Sequence, residues 1–270
     1  MRAINGRVQR VAVDGLEIAY RREGEGPAVV LLHGFFGDHR VWRRQFELAE
    51  GWTVIAWDAP GCGASSTPPS TFRMTDYADT LARFIEALGL ERAHVIGNSF
   101  GGTLGLQLSL RHPVIVRSLV AADSYAGWSG SFPAEVVAQR LSQSLSDLEL
   151  PAQQVAARWI PGFVTSLAPR PVLDEIAAIV SNFDRDGMEV MIRSLAEANL
   201  SNQLASIRVP TLLVWGDKDV RSPLTVAHDL QAKIPGSRLV VIAGAGHLSN
   251  VEAPDRFNSE VRRFLSAIPT

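Results

Sequence analysis

A short apolar run, Ala93-His94-Val95-Ile96, passes directly into Gly97-Asn98-Ser99-Phe100-Gly101-Gly102, and a helix-like run from Thr103 to Arg111 follows. This order of strand, turn and helix constrains the fold more than any other feature of the chain. A sharp strand-to-helix turn lifts the serine oxygen above the sheet. It also forces close backbone approaches, so its flanking positions must be small, and Gly97 and Gly101 meet that need. The helix behind it aims free N–H groups and its positive dipole end at the serine. Ser99 is therefore a candidate nucleophile.

A nucleophilic serine needs a base, an orienting acid and an oxyanion hole. Of the chain's six histidines, His247 stands out. It ends Gly244-Ala245-Gly246-His247, after the strand-like Arg238 to Ile242 and before a terminal helix, on a loop of small residues able to fold over the sheet edge. The acid should lie between serine and histidine in chain order. Pro210 to Gly216 reads as a buried strand, and Asp217-Lys218-Asp219 follows it. Asp219 is the preferred acid and Asp217 reads as a turn cap. A third candidate, Asp123, follows the strand-like Ser118 to Ala122 and reads as a loop cap. The two oxyanion donors are expected to be backbone amides. One is that of Phe100. The other is that of Phe35, which follows the apolar run Ala28 to Leu32 and His33-Gly34. His33 itself reads as a loop brace, and Cys62 as a small filler in a glycine-rich turn.

Five segments, in order, resemble the α/β-hydrolase fold superfamily. They are His33-Gly34-Phe35, Asp58 to Ser65, Gly97 to Gly102, Gly216 to Asp219, and Gly246-His247. The likeness spans nearly the whole chain. It implies a mostly parallel sheet flanked by helices, a Ser99–His247–Asp219 triad, and hydrolysis of a small carboxylic ester or lactone through an acyl-enzyme. The stretch Gly246 to Pro254 is similar to the enol-lactone hydrolases of aromatic catabolism. Gly97 to Gly102 is equally similar to carbon–carbon bond hydrolases of meta-cleavage pathways, which usually carry a longer glycine run where this chain has Phe35-Phe36. A receptor-like binding protein with little turnover is the third possibility.

The rest of the chain fits an α/β class. Arg7 to Val13 and Leu16 to Arg22 flank Asp14-Gly15, a hairpin signal. Six apolar runs separated by helical patterns suit a parallel sheet buried on both faces. Met74 opens a helix that stops at Gly89, and Ala253 to Ile268 forms another. From about Tyr125 to Ser206 the alternation breaks into helix-like pieces punctuated by Pro133, Pro151, Pro161, Pro169 and Pro171. Residues 125–206 therefore read as a helical lid inserted after the sixth strand, and residues 1–124 and 207–270 as the core domain. Trp128, Trp159, Phe163 and Met188 are candidate pocket residues, with Phe183 and Met191 beside them, each alternatively plain lid core. Arg140, Arg158 and Arg193 are candidates to pair with a substrate carboxylate, or members of a solvated helix face.

Net charge is −2 with no basic block, which argues against nucleic acid as a partner. No apolar run nears the roughly 20 residues of a membrane span, and Met1 to Gly6 has no apolar signal core. A cytoplasmic location is the default expectation. No His, Cys, Asp or Glu spacing signals a metal, and no phosphate loop signals a nucleotide. The expected partner is a small-molecule substrate. No cofactor is expected, and no segment marks an oligomer interface.

Overall fold

The computed structural model describes residues 7–269. Met1–Gly6, with the missing signal core, and residue 270 lie outside the described residues. Strands β1 (Gln9–Val13) and β2 (Leu16–Glu23) form the expected hairpin. Asp14 and Gly15 both have positive φ, 49° and 81°, as a two-residue turn matched to strand twist requires.

Six further strands follow: β3 (Ala28–Leu32), β4 (Thr53–Trp57), β5 (Ala93–Asn98), β6 (Val116–Ala122), β7 (Thr211–Gly216) and β8 (Arg238–Ile242). The sheet order is β1-β2-β4-β3-β5-β6-β7-β8. Pairing is antiparallel for β1 with β2 and β2 with β4, and parallel elsewhere. The chain winds outward from β3 to β4, then returns to the other side of β3 for β5. The crevice between the carboxyl ends of β3 and β5 is thus the switch point where open α/β sheets place their ligands.

Side chains alternate across the sheet with a period of two. Val30, Leu32, Ile55, Trp57, Val95, Leu119, Leu213 and Trp215 face one core. Val29, Leu31, Val54, Ala56, Ile96, Val120, Leu212 and Val214 face the other. Helices α1 (Met74–Ala87) and α2 (Phe100–Arg111) cover the first face. Between β6 and β7 the chain forms α3 (Trp128–Ser131), α4 (Ala134–Asp147), α5 (Ala152–Phe163), α6 (Arg170–Val180) and α7 (Arg185–Glu197). Pro133, Pro151 and Pro169 occupy the N-caps of α4, α5 and α6, which explains the punctuation in the sequence. Then come α8 (Leu224–Lys233), α9 (Ser249–Glu252) and α10 (Pro254–Leu265). The terminal helix is shorter than the pattern suggests. Pro254 takes its first turn, where its missing N–H costs nothing, and separates it from α9. A run of 3-10 turns at His39–Glu50 joins α10 on the second face. Among the described residues no helix is long and apolar enough to cross a membrane.

The turn from β5 to α2 is packed against β3. A Cβ on Gly97 would collide with the backbone of Gly101, and one on Gly101 with the carbonyl of Leu32. The loops after β3 and β4 brace each other beside it. His33 donates from Nδ1 to the Gly34 carbonyl (2.8 Å) and accepts at Nε2 from Ala59 N–H (2.9 Å). Burial lowers its pKa, consistent with this neutral bracing form. Asp58 Oδ1 accepts from His39 at both the backbone N–H (2.8 Å) and Nδ1 (2.7 Å). Its Oδ2 accepts from Ala64 N–H at 2.9 Å.

Two predictions follow from these contacts. Gly101→Ala should destabilise the protein by about 1–3 kcal/mol in urea unfolding, because backbone cannot yield as a side chain can. The second concerns His39. Burial disfavours charge on it, but the hydrogen bond and charge of Asp58 outweigh this and raise its pKa above the ordinary histidine value. The same pair lowers Asp58, against the opposing effect of its own burial. The His39 contribution is full below the ordinary histidine pKa and fades as pH climbs through the raised one. The Asp58 contribution is lost only in acid. The stability deficit of His39→Gln, measured by urea unfolding, should therefore be larger at pH 5.5 than at pH 8.5.

Candidate active site

Ser99 sits between the last residue of β5 and the first of α2 with φ 55° and ψ −117°, a conformation costly for a non-glycine residue. Its backbone is over-determined. Ser99 N–H donates to the Ala122 carbonyl (2.9 Å), and its own carbonyl accepts from Ser124 Oγ (2.9 Å) and from the N–H groups of Gly102 (3.0 Å) and Thr103 (3.1 Å). The clamp fixes the serine side chain over the carboxyl edge of the sheet.

From there a hydrogen-bonded chain runs inward. Ser99 Oγ lies 2.9 Å from His247 Nε2, and His247 Nδ1 lies 2.8 Å from Asp219 Oδ2. The histidine side chain is 1% exposed and the aspartate 0%. Asp219 Oδ1 accepts from the N–H groups of Arg221 (2.8 Å) and Ser222 (2.9 Å), so its remaining oxygen is aimed at the imidazole. Asn98 Nδ2 donates to the His247 carbonyl at 3.0 Å, and the Phe163 ring stacks on the imidazole at 14° and 6.2 Å. The three residues singled out in the sequence are thus brought together in one line.

The other two aspartates do different work. Asp217 Oδ1 accepts from Gly244 N–H at 2.6 Å, so the turn it holds is the one after β8. Asp123 does not cap its own loop, as the sequence suggested. Its carboxyl reaches across to accept from Gly216 N–H (2.8 Å) at the end of β7, and it lies 2.5 Å from Ser249 Oγ, two residues after His247. It is a strut between the segments that carry Asp219 and His247. Burial, and then the nearby charge of Asp219, push its pKa well above the usual carboxylate range.

The amides of Phe35 and Phe100 donate to no backbone or side-chain acceptor among the described residues. Gly34 brings the first of these loops against Ser99: a Cβ there would stand 3.0 Å from the serine Cβ. Phe35, Phe36, Phe163, Ile176, Ile179 and Val180 wall a cavity of about 20 Å³ at Ser99 and His247. Of the predicted pocket residues, Phe163 is at this cavity. Trp128 and Trp159 line a separate and larger one of about 660 Å³, and each meets Phe35 edge to face. Met188 lies at neither. It lies beside Cys62 and Phe183, next to the close backbone approach of Gly187 and Gly61. Met191 is core. Among the arginines, Arg193 pairs with Glu189 on its own helix and Arg158 with Asp147, both through side-chain carboxylates. Arg140 reaches no carboxylate among the described residues, and Arg221, which nothing in the sequence marked, lies beside it in the larger cavity.

One cluster has metal-like spacing. Asp38, His39 and Asp58 each place a ligand atom within 4.8 Å of the others. Their lone pairs already serve Arg40, Ala64 and His39 itself, which makes the cluster a brace.

Comparison with known proteins bears on the family and the fold. Residues 29–260 match the sequence pattern described as the Alpha/beta hydrolase family. RutD of Caulobacter sp. (strain K31), named as a candidate carbamate hydrolase, is 31% identical over 96% of this chain and 98% of its own. The enol-lactonase of Burkholderia xenovorans LB400 superposes with a TM-score of 0.88 at 26% identity, over 96% of this chain and 100% of its own. A thermophilic esterase from Thermogutta terrifontis gives 0.89 at 26% identity, over 98% of this chain and 100% of its own. With its switch-point crevice, its serine elbow and a pattern match across most of its length, the chain belongs to the alpha/beta hydrolase family.

Proposed function

We propose that this hydrolase cleaves small carboxylic esters or lactones through an acyl-enzyme on Ser99. The observation that carries the reading is the unbroken hydrogen-bonded chain from buried Asp219 through His247 to Ser99, ending beside two amides with no other acceptor. His247 Nε2 takes the serine proton as Oγ attacks the carbonyl carbon. Negative charge builds on the carbonyl oxygen and is met by the N–H groups of Phe35 and Phe100. Asp219, its other oxygen held by two backbone amides, keeps the imidazole in the correct tautomer and stabilises the imidazolium. His247 then gives its proton to the leaving oxygen. In the second half-reaction it activates water, which releases the acid from Ser99.

Residues 125–206 act in this reading as a lid on the core formed by 1–124 and 207–270. The aromatic wall of Phe35, Phe163 and the two tryptophans would exclude water from the reacting carbonyl. The likeness to an enol-lactonase and an esterase supports acyl transfer at a carbon–oxygen bond. The likeness to a candidate carbamate hydrolase supports a second reading, in which the same machinery cleaves a carbamate.

Two measurements test the assignment. Ser99→Ala should lose multiple turnover on 4-nitrophenyl acetate and butyrate while keeping the wild-type unfolding midpoint. Retained turnover in that variant would remove Ser99 from the mechanism. Asp219→Asn should lower kcat by roughly 10⁴-fold with little change in KM, because the imidazole would take the wrong tautomer. Faster turnover on carbamate than on ester substrates by the wild type would favour the second reading.

A further inference from the structure

The cavity at Ser99 holds about 20 Å³, little more than one water. The rest of any substrate must sit elsewhere. The neighbouring cavity between α4, α5 and the loop after β7 has about 660 Å³, within the range of ligand pockets. The two are contiguous through aromatic side chains. Phe163 has its ring centroid 6.2 Å from that of His247 and 5.1 Å from the Arg221 guanidinium carbon. A ring of this wall has to turn aside for the spaces to join.

The larger cavity is built for negative charge. It is lined by Arg140, Arg158, Arg221 and one acid, Asp147. Asp147 is paired with Arg158: its Oδ1 accepts from that guanidinium at 2.6 Å and from Gln143 at 2.8 Å. That leaves Arg140 and Arg221 with no carboxylate partner among the described residues. Arg140 Nη2 donates to a neutral group, the carbonyl of Arg221 (2.9 Å), and the Tyr125 hydroxyl also hydrogen-bonds to the Arg140 side chain. Both guanidinium carbons lie over aromatic rings, Arg221 over Trp159 at 4.0 Å and Arg140 over Phe132 at 4.1 Å. Stacking of this kind orients the planar fork and leaves its edge N–H groups for a carboxylate. Gly162 makes room for one of them: a Cβ there would stand 3.0 Å from Arg221 Nη1.

Burial first, and Arg140 among the neighbouring charges, lower the Arg221 pKa to about 10, with Tyr125, Asp219 and Asp147 pulling it the other way. A bound carboxylate would give a direct partner to two guanidinium groups that stand close to one another.

We propose that this cavity binds a carboxylate of the substrate, so that the preferred substrates are esters or lactones carrying a second, free carboxylate remote from the bond cleaved. Arg140 and Arg221 hold that carboxylate while the reacting carbonyl lies at Ser99. The inference rests on the Ser99 acyl-transfer reading above and names the substrate class for it.

The test is a pH-stat comparison of ethyl hydrogen succinate, glutarate and adipate with their ethyl methyl diesters. Wild type should favour at least one half-ester over its diester by tenfold or more in kcat/KM. Arg140→Gln should lower that ratio at least tenfold, mainly through KM, and Arg140→Lys should recover part of it. Equal kcat/KM on half-ester and diester, with turnover abolished by Ser99→Ala, would overturn the carboxylate site and leave the serine hydrolase reading standing. Turnover that survives Ser99→Ala would instead sink the mechanism. If wild type cleaves neither ester, calorimetric titration with adipate decides: binding weakened by Arg140→Gln supports the site, and no binding overturns it. Inhibition of diester hydrolysis by inorganic phosphate, without any half-ester preference, would assign the arginines to a separate anion and overturn the substrate role.

Discussion

Everything at the candidate site depends on the contact of the β5–α2 turn with the backbone of β3. Two glycines let three stretches of main chain touch where a single extra carbon would part them. That contact holds Ser99 in a strained conformation worth about 1–3 kcal/mol, which a hydrogen bond to the Ala122 carbonyl and others from Ser124, Gly102 and Thr103 keep in place. It also puts the free N–H of Phe100 and the loop of Phe35 on the same side as the serine oxygen. The nucleophile and the place where charge would develop are therefore set by one packing event. His247 and Asp219 arrive from loops far along the chain, and their alignment depends on separate struts, of which Asp123 is the most buried.

Much of this was legible because strands buried on both faces must be nearly continuous in apolar residues. Strands β3 to β8 begin and end within two residues of their apolar runs, the edge strand β8 among them. The serine, histidine and aspartate were legible because small residues and a preceding strand mark each loop. Strand order was not legible, since it depends on the way the chain winds around β3. The 3-10 run at His39–Glu50 was missed although Trp42, Gln45 and Phe46 stand at helical spacing, because the buried glutamine interrupts the apolar stripe. Gln45 is buried because its amide reaches Asn250 and Asn258 across the fold. Helix α8 buries only Val226, Ala227 and Leu230, too short a stripe to stand out.

Side-chain roles were harder to read than elements. Arginine on a helix reads the same whether it meets a glutamate one turn away, as Arg193 does, or faces a cavity, as Arg140 does. Arg221 carries no sequence signal at all, because its setting is made by α5 lying over the loop after β7. Met188 was placed by lid membership alone, and it lies beside Cys62 and Phe183, next to the close backbone approach of Gly187 and Gly61.

The Asp123 strut has a consequence for the charge balance beneath His247. Burial first, and then the nearby charge of Asp219, favour the protonated form of the Asp123 carboxyl. A strut that resists ionising can take hydrogen bonds from Gly216 and Ser249 without setting a second full negative charge beside the Asp219–His247 pair. An amide in place of Asp123 would keep that arrangement, whereas a change that let water reach the strut would favour its ionised form and alter the field in which the imidazole works.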